Sequence, residues 1–508
     1  AQRATRSGVL LSTEQQQLED LNRQVGALDQ QIAQTQGGES RQGLEVTRNA
    51  LVREYEALQA QLKARYPKYA QLSEVKVLGA TDLSGVIPAD ALAVSYVQDD
   101  DRVSAYLLDS GGNLRWMALG SMPGLADAVE IVRLAQSDFR SSPGETAQNL
   151  PGLGHRRAWR LADGSYRILP ADQLAPVGAQ ALRDSGEVMN YLAARLLKPL
   201  ARRLQRKPRW IISPDGPLAQ LAFETLPFGK HLLPAVASAE IHYTQSLSVY
   251  ALSRALQQQY RGLHGRQSLL AMGHAHYESL PQSAPSVDVG AGKAARNGLR
   301  NLDLRDEGQL RDLDDGWVEL PGTEREVKSV AALFPGSASV FLREQATEQQ
   351  LQALNREGLL KNYRFLLLSA HGYLSAQQPV LSSIVLGLRH RTPEADGYIT
   401  ASEWPAYDLR SDLTVLSACD TAVGKVLGGE GVMGLPFALF VAGNVNTVLS
   451  LWPVQDNATA LFMQSLYTKL NAGQTAVAAL TATKREFIKH SRFSHPVYWA
   501  PFILIGAG

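Results

Sequence analysis

Cysteine is almost absent from this chain of 508 residues, which contains only Cys419. A single thiol cannot form an intrachain disulfide and cannot supply a cysteine-based zinc cage. His274 and His276 share one face of a predicted strand, but no third metal ligand lies near them in the sequence. We therefore expect no metal ion and no other cofactor, and the thiol is either an inert core residue or a nucleophile.

An excess of charge of one sign is also missing. Lys plus Arg total 50 against 49 Asp plus Glu, which gives a net charge of +1. No long-range field would draw such a chain to nucleic acid or to an anionic membrane, so neither is expected as a partner.

No apolar run reaches the length needed to span a membrane. The nearest, residues 434–452, carries Asn444 and Asn446 in its middle, and buried amides are costly in lipid. It is predicted to be a buried helix that leads into a buried strand. The chain begins Ala-Gln without Met or a signal-peptide apolar region, so we expect a cytoplasmic protein and a processed product or fragment of a longer one.

The first 75 residues have a helical pattern. Apolar residues recur at spacings of three and four over 18–32 and again over 51–62, with Gly37-Gly38 between the two stretches. This predicts a hairpin of two helices over residues 1–75. The hairpin is either a local packing element or the end of a helical repeat region, and it offers a surface to a regulatory protein.

From residue 76 onwards strands and helices alternate. The runs 91–97 and 103–108 predict a β-hairpin, and Thr323 and Glu326 have the spacing of a capping box that opens a helix. Alternation continues to the end of the chain, which predicts an α/β fold with a mostly parallel sheet covered by helices on both faces.

Two of the predicted strands end in reactive side chains. The run 363–370 stops at His371-Gly372, and the run 412–418 stops at Cys419-Asp420. Ligands and catalytic groups collect at the carboxyl ends of parallel strands, and neighbouring strands lie roughly 5 Å apart. If the two strands are neighbours, the imidazole and the thiol face the same substrate.

The pairing makes chemical sense. A free thiol has a pKa of about 8.5, so an imidazole that takes its proton increases its nucleophilicity. The same imidazole then protonates the leaving amine. The backbone N–H groups of Gly372 and Cys419 are the natural donors to the oxyanion that forms. Cys419 is thus predicted as the nucleophile and His371 as the general acid–base of a cysteine endopeptidase.

A lone histidine or a lone cysteine at a strand end is usually structural, but here both appear, 48 residues apart. Caspases place their histidine about 50 residues upstream of an Ala-Cys motif. Several segments together resemble the CHAT peptidase domain, a family grouped with caspases, separases, gingipains and clostripain. They are 211–224, 320–324, 369–372, 396–403, 413–421, 429–434, 450–456 and 498–506.

The resemblance implies a caspase-like sheet and a His371–Cys419 dyad that acts on protein or peptide substrates. It also implies three parts: a helical hairpin over 1–75, a degenerate and non-catalytic caspase-like domain over 76–262, and a catalytic domain over 263–508. The middle part contains no His-Gly and Cys pair of its own.

Specificity is predicted from two acidic residues. Asp456 lies in a stretch that resembles the one in which separases read a basic P1 residue, and Asp420 is a second candidate. A carboxylate in such a pocket would favour cleavage after Arg or Lys. The alternative for Asp456 is that it caps the helix that begins at residue 457.

Other functions remain open at this point. The same fold serves as a catalytically silent pseudopeptidase that acts as a binding or scaffold module. A protease of this kind is also expected to need a partner or signal for activation. A serine hydrolase is disfavoured because no Gly-x-Ser-x-Gly motif occurs.

Overall fold

The computed structural model describes most of the chain between residues 39 and 508. The described ranges are 39–65, 78–137, 156–182, 184–277, 319–373, 382–389, 395–417, 434–452 and 456–508, with single or paired positions at 17, 21, 24, 28, 153, 317, 392, 426–427, 431–432 and 454. Cys419 and Asp420 lie outside the described residues, as does the predicted loop 281–316.

Strands make up the centre of the molecule. In chain order they are β1 Ala91–Asp99, β2 Arg102–Leu108, β3 Leu114–Ser121, β4 Arg156–Arg160, β5 Tyr166–Pro170, β6 Gln180–Ala181, β7 Arg209–Ser213, β8 Pro227–Phe228, β9 Leu233–Pro234, β10 Glu240–Tyr243, β11 Gln267–Ala275, β12 Ala338–Arg343, β13 Tyr363–Ser369, β14 His371–Tyr373, β15 Ser383–Val385, β16 Tyr398–Thr400, β17 Leu413–Leu416, β18 Val426–Leu427, β19 Gly431–Val432, β20 Asn446–Ser450 and β21 Phe502–Gly506.

Helices surround these strands. They are α1 Glu39–Arg65, α2 Leu125–Ser137, α3 Ser185–Leu196, α4 Ala201–Leu204, α5 Leu247–Tyr260, α6 Pro321–Ala331, α7 Glu348–Arg356, α8 Leu435–Ala442, α9 Asp456–Asn471, α10 Ala476–Lys489 and α11 Pro496–Trp499. Residues 17, 21, 24 and 28 are also helical. The packing of the predicted hairpin over 1–75 stays a prediction.

One sheet of eleven strands runs through the described α/β region, in the order β12-β11-β13-β17-β20-β21-β10-β7-β1-β2-β3. Neighbours are parallel except at β20–β21, β1–β2 and β2–β3. The central strands are buried on both faces, which is why they read as continuous apolar runs. The predicted fold class, a mostly parallel sheet flanked by helices, is confirmed.

Strands of both predicted α/β parts share this sheet. The connection is made by β10 and β21, where Tyr243 pairs with Ile505. A single apolar core extends across the same connection. The predicted boundary between residues 262 and 263 stays a prediction.

The polar interruption of the run 434–452 has a structural explanation. This segment forms α8 and β20, as predicted, and the Asn444 side chain is buried between them. Its Oδ1 accepts hydrogen bonds from the hydroxyls of Ser411 (2.7 Å) and Thr414 (3.0 Å), and its Nδ2 donates to Asn446 O (2.7 Å). No helix in the described ranges is both long and apolar enough to cross a membrane.

The predicted capping box is wrong. The helix starts earlier, at Pro321, because proline is well suited to the first helical position. Thr323 therefore stands in the first turn, where its hydroxyl donates to Leu320 O (2.7 Å) and accepts from the N–H of His274 (2.7 Å).

Candidate active site at the carboxyl ends of three strands

Three neighbouring parallel strands, β11, β13 and β17, end at the same edge of the main sheet. Gly273 at the end of β11 pairs with Ser369, and Leu368 pairs with Leu416. The N–H of Ser417 donates to Leu368 O at 3.0 Å, which extends this register by one residue. The adjacency of the two strands that lead to His371 and Cys419 is thus as predicted.

The register between β13 and β17 is informative about the dyad. Leu368 faces Leu416, an offset of 48 residues, and the same offset separates His371 from Cys419. Each reactive residue follows its paired position by three residues. Adjacent strands lie roughly 5 Å apart, so the chain approaches residues 371 and 419 from neighbouring points at the same height.

His371 itself belongs to a second, small sheet. β14 pairs antiparallel with β15, which pairs with β16, and His371 stands opposite Val385. Gly372, the predicted oxyanion donor, is the next residue of β14. This sheet lifts the imidazole away from the end of β13 and holds it partly buried.

Two aromatic rings flank the His371 imidazole. The Tyr277 ring centroid is 4.9 Å away, edge to face at 62°, and the Trp317 ring centroid is also 4.9 Å away, tilted at 41°. Contacts of this kind restrict the rotation of a side chain. The two rings therefore form an aromatic clamp, defined here as Tyr277 and Trp317, around the imidazole.

Hydrogen bonds fix the clamp to the small sheet. The Tyr277 hydroxyl donates to Val385 O at 3.0 Å and accepts from the N–H of His371 at 3.4 Å. The indole N–H of Trp317 donates to the Tyr398 hydroxyl at 2.8 Å. Burial raises the pKa of Tyr277 far above its usual value, so the phenol remains a hydrogen-bond donor at every physiological pH.

A network of histidines and glutamates lies beside the clamp, at the end of β11. His276 Nδ1 is 2.8 Å from Glu319 Oε1, and His274 Nδ1 is 2.6 Å from Glu324 Oε2. Hydrogen bonds from Lys328, then His274 and Arg343, lower the pKa of Glu324 to about 2. The histidines thus contact carboxylates, and no metal-binding cluster of three or more such side chains occurs among the described residues.

The remaining predicted site residues are only partly accessible to description. Asp456 is the first residue of α9, which follows β20, the neighbour of β17. Its side chain lies outside the described residues, as do all atoms of Cys419 and Asp420. Beyond Cys419, the short hairpin β18–β19 contacts the 3-10 turn Gly216–Gln220 of the preceding part of the chain.

Sequence reasoning missed the aromatic clamp. Tyr277 carried a weak signal, because it follows the predicted strand that ends at His276. Trp317 carried none, since 39 residues separate it from Tyr277 with no regular pattern between them.

Comparison with known proteins identifies the family. A family model described as the CHAT domain matches residues 186–507. Human tetratricopeptide repeat protein 28 is 35% identical over 109 residues, which cover 22% of this chain and 4% of that protein. Its mouse counterpart is 34% identical over the same length and coverage. The chain thus matches only a small fraction of the length of these curated relatives.

Two solved structures share the general fold at low similarity. The Saccharomyces cerevisiae separase–securin complex has a TM-score of 0.40 at 9% identity and covers 92% of this chain and 34% of the other. The Arg-specific cysteine proteinase gingipain R has a TM-score of 0.35 at 8% identity, with coverages of 62% and 68%. The assignment rests on the family model, which covers more than half of the chain: this protein belongs to the CHAT domain family.

Proposed function

We propose that this protein is a cysteine endopeptidase in which Cys419 is the nucleophile and His371 the general acid–base. The observation that supports it is the register of β13 and β17, which leads the chain to both residues from adjacent parallel strands at one sheet edge. The edge also carries the strand end of β11 and the aromatic clamp. Membership of the CHAT domain family agrees with this assignment.

The reaction follows from these groups. The His371 imidazole takes the thiol proton, and the thiolate attacks the scissile carbonyl carbon. The oxyanion accepts hydrogen bonds from the backbone N–H groups of Gly372 and Cys419, and losing one such donor typically costs on the order of 10²–10³ in rate. The intermediate collapses as the imidazolium protonates the leaving amine. Water then attacks the thioester, with His371 as the base, and releases the acid and the free thiol.

Substrate choice is part of the proposal. Asp456, and secondarily Asp420, would bind the Arg or Lys side chain at P1, because a partly desolvated carboxylate pairs strongly with a cation. A regulatory protein bound to the N-terminal helices of residues 1–75 would control access to the site. Proteins and peptides are the substrate class, and no cofactor takes part.

The single cysteine makes the decisive experiment clean. The full chain is treated with a peptidyl acyloxymethyl ketone that carries Arg at P1, and labelling is followed by intact mass. We expect Cys419 of the folded protein to react faster than free cysteine, and His371→Asn to remove this advantage. Urea-denatured protein is the matched control, since the same thiol is then without its environment.

A second result separates the protease from a silent scaffold. If Cys419 of the folded chain reacts no faster than free cysteine, and His371→Asn changes nothing, the endopeptidase is excluded. A pseudopeptidase would then be the better description. If the proposal holds, Cys419→Ala protein should retain substrates that the unmodified protein cleaves, and their cut sites should follow basic residues.

A further inference from the structure

The two rings that clamp His371 come from segments that are far apart in sequence, and the residues beside them form an ion pair. Tyr277 directly follows His276, and Trp317 stands two residues before Glu319. His276 Nδ1 lies 2.8 Å from Glu319 Oε1. The ion pair therefore joins the two segments immediately next to the imidazole.

The connecting chain cannot position the two rings relative to each other. Residues 278–316 separate them, and a connection of this length costs only slightly more closure entropy than a shorter one and imposes little geometry. On the Trp317 side, the indole–Tyr398 hydrogen bond fixes one point of the ring. A second point of attachment is needed to fix its orientation, and the His276–Glu319 pair supplies it.

Glu319 is well placed for this task because it contacts both histidines of the β11 end. Its second oxygen lies 3.7 Å from His274 Nε2. Hydrogen bonding from His276 lowers the pKa of Glu319, so the carboxylate is charged under physiological conditions. The Glu319 side chain is 48% exposed and that of His276 is 20% exposed, so the pair is reached by water but supported on one side.

The backbone at the end of β11 is held in an unusual conformation that supports the same arrangement. His274 has φ of +48°, a left-handed conformation that costs a non-glycine residue roughly 1 kcal/mol or more. The hydrogen bonds of its N–H to Thr323 and of its ring to Glu324 accompany this conformation. His274 thereby directs the short segment that carries His276 and Tyr277.

We propose that Glu319, through its ion pair with His276, is a positioning residue for His371: the pair holds Tyr277 and Trp317 against the imidazole and so sets its orientation for proton transfer. The inference rests on the proposed function of His371. It matters for rate because proton transfer needs heavy atoms within about 2.6–3.2 Å, and a displacement of about 1 Å can cost on the order of 10²-fold.

Glu319→Gln tests the charge at constant shape, and Glu344→Gln is the matched control. Glu344 Oε1 also contacts His276, at 3.3 Å from Nε2, but lies on a segment that carries neither ring. We expect Glu319→Gln to lower kcat for a peptide substrate about 10- to 100-fold with KM unchanged. Glu344→Gln should leave both constants near those of the unmodified protein.

Nuclear magnetic resonance gives a readout that does not require activity. The ring currents of Tyr277 and Trp317 displace the Cε1–H resonance of His371, which is identified among the ten histidines by its loss in His371→Asn. Glu319→Gln should move this resonance towards the position of a free histidine, and Glu344→Gln should not. His276→Gln keeps a neutral donor for Glu319 and should give a smaller displacement than His276→Ala.

The outcomes separate the two proposals. An unchanged His371 resonance in Glu319→Gln, or an equal change in Glu344→Gln, overturns the positioning role whatever the activity. If Cys419 proves unreactive but the resonance moves as expected, the clamp is supported and only the endopeptidase fails. If the resonance moves while kcat is unchanged in an active enzyme, the role of the pair in proton transfer is refuted.

Discussion

Lys484 and Glu224 form an ion pair in the interior of the protein, with Nζ 2.8 Å from Oε1 and each side chain only 1% exposed. Glu224 also accepts a short hydrogen bond from the Tyr243 hydroxyl, whose oxygen accepts the N–H of Phe223 at 2.9 Å. Lys484 lies on α10, 260 residues later. The pair therefore connects the parts of the chain that were predicted as a degenerate half and a catalytic domain.

Removal of one partner should destabilise the protein strongly. Burial lowers the pKa of Lys484, and the neighbouring Glu224 opposes this change. In Lys484→Met the Glu224 carboxylate would remain buried without a cation, which typically costs about 3–5 kcal/mol in the free energy of unfolding. Urea denaturation followed by circular dichroism measures this change.

The double variant provides the control for this prediction. Glu224→Gln with Lys484→Met removes both charges, keeps an acceptor for Tyr243, and should recover most of the lost stability. If Lys484→Met alone unfolds at the same urea concentration as the unmodified protein, the buried charge is compensated by some other group and the prediction is wrong.

This ion pair also shows where sequence reasoning stops. The strands β13 and β17 were predictable because continuous apolar runs have few alternatives to burial in a parallel sheet, and their adjacency followed from the reactive residues at their ends. A lysine on a helix, by contrast, is usually exposed. Its partner lies 260 residues away, and only the folded chain brings the two together.

The same limit applies to the candidate site. His371 and Gly372 were identifiable from local pattern and family resemblance, and the structure places them in β14 beside the end of β13. Trp317 was not identifiable, because its contact with His371 depends on a long connection whose path no periodicity encodes. Thr323 was misread, since the helix start is decided by Pro321 and by the hydrogen bond from His274.

Glu348 should make stability depend on pH. It is buried in the first turn of α7, where Oε2 accepts the N–H of Gly397 at 2.8 Å. Burial, and then the nearby charge of Glu403, raise its pKa to about 8. A raised pKa in the folded state favours the protonated form, so its stabilisation is complete below about pH 4.5 and is lost as the pH rises through 8.

Glu348→Gln isolates this effect. The neutral amide keeps an acceptor for Gly397 and does not ionise, so the variant should gain stability relative to the unmodified protein between pH 5 and 8, by on the order of 3 kcal/mol at the upper end. Urea unfolding at pH 5, 6.5 and 8 measures the difference. A difference that does not change with pH would show that Glu348 titrates normally.

His242 should produce the opposite dependence. Its side chain on β10 is fully buried, and neither ring nitrogen has a hydrogen-bond partner among the described residues. Burial, with smaller contributions from Arg209 and Arg254, lowers its pKa to about 3. Since the unfolded chain binds the proton more tightly, stability is complete above about pH 6.5 and decreases as the pH falls towards 3.

His242→Phe keeps an aromatic ring but cannot be protonated. We expect the unmodified protein to lose stability between pH 6.5 and 4 relative to this variant, whatever their difference at pH 7. Thermal unfolding at the two pH values gives the comparison. Parallel losses in both proteins would mean that His242 does not contribute to acid sensitivity.

Asp456 offers a test of substrate choice that separates a pocket role from a helix-capping role. It stands at the start of α9, after the strand beside β17. Asn caps a helix about as well as Asp but carries no charge. Asp456→Asn should therefore leave stability unchanged, while kcat/KM for a peptide with Arg at P1 falls about 10- to 100-fold, the value of one charge-assisted hydrogen bond. A matched peptide with Leu at P1 is the control and should be cleaved at an unaltered rate. Loss of stability with an unchanged preference for Arg would assign Asp456 to the helix, and an equivalent loss of Arg preference in Asp420→Asn alone would move the pocket to that residue.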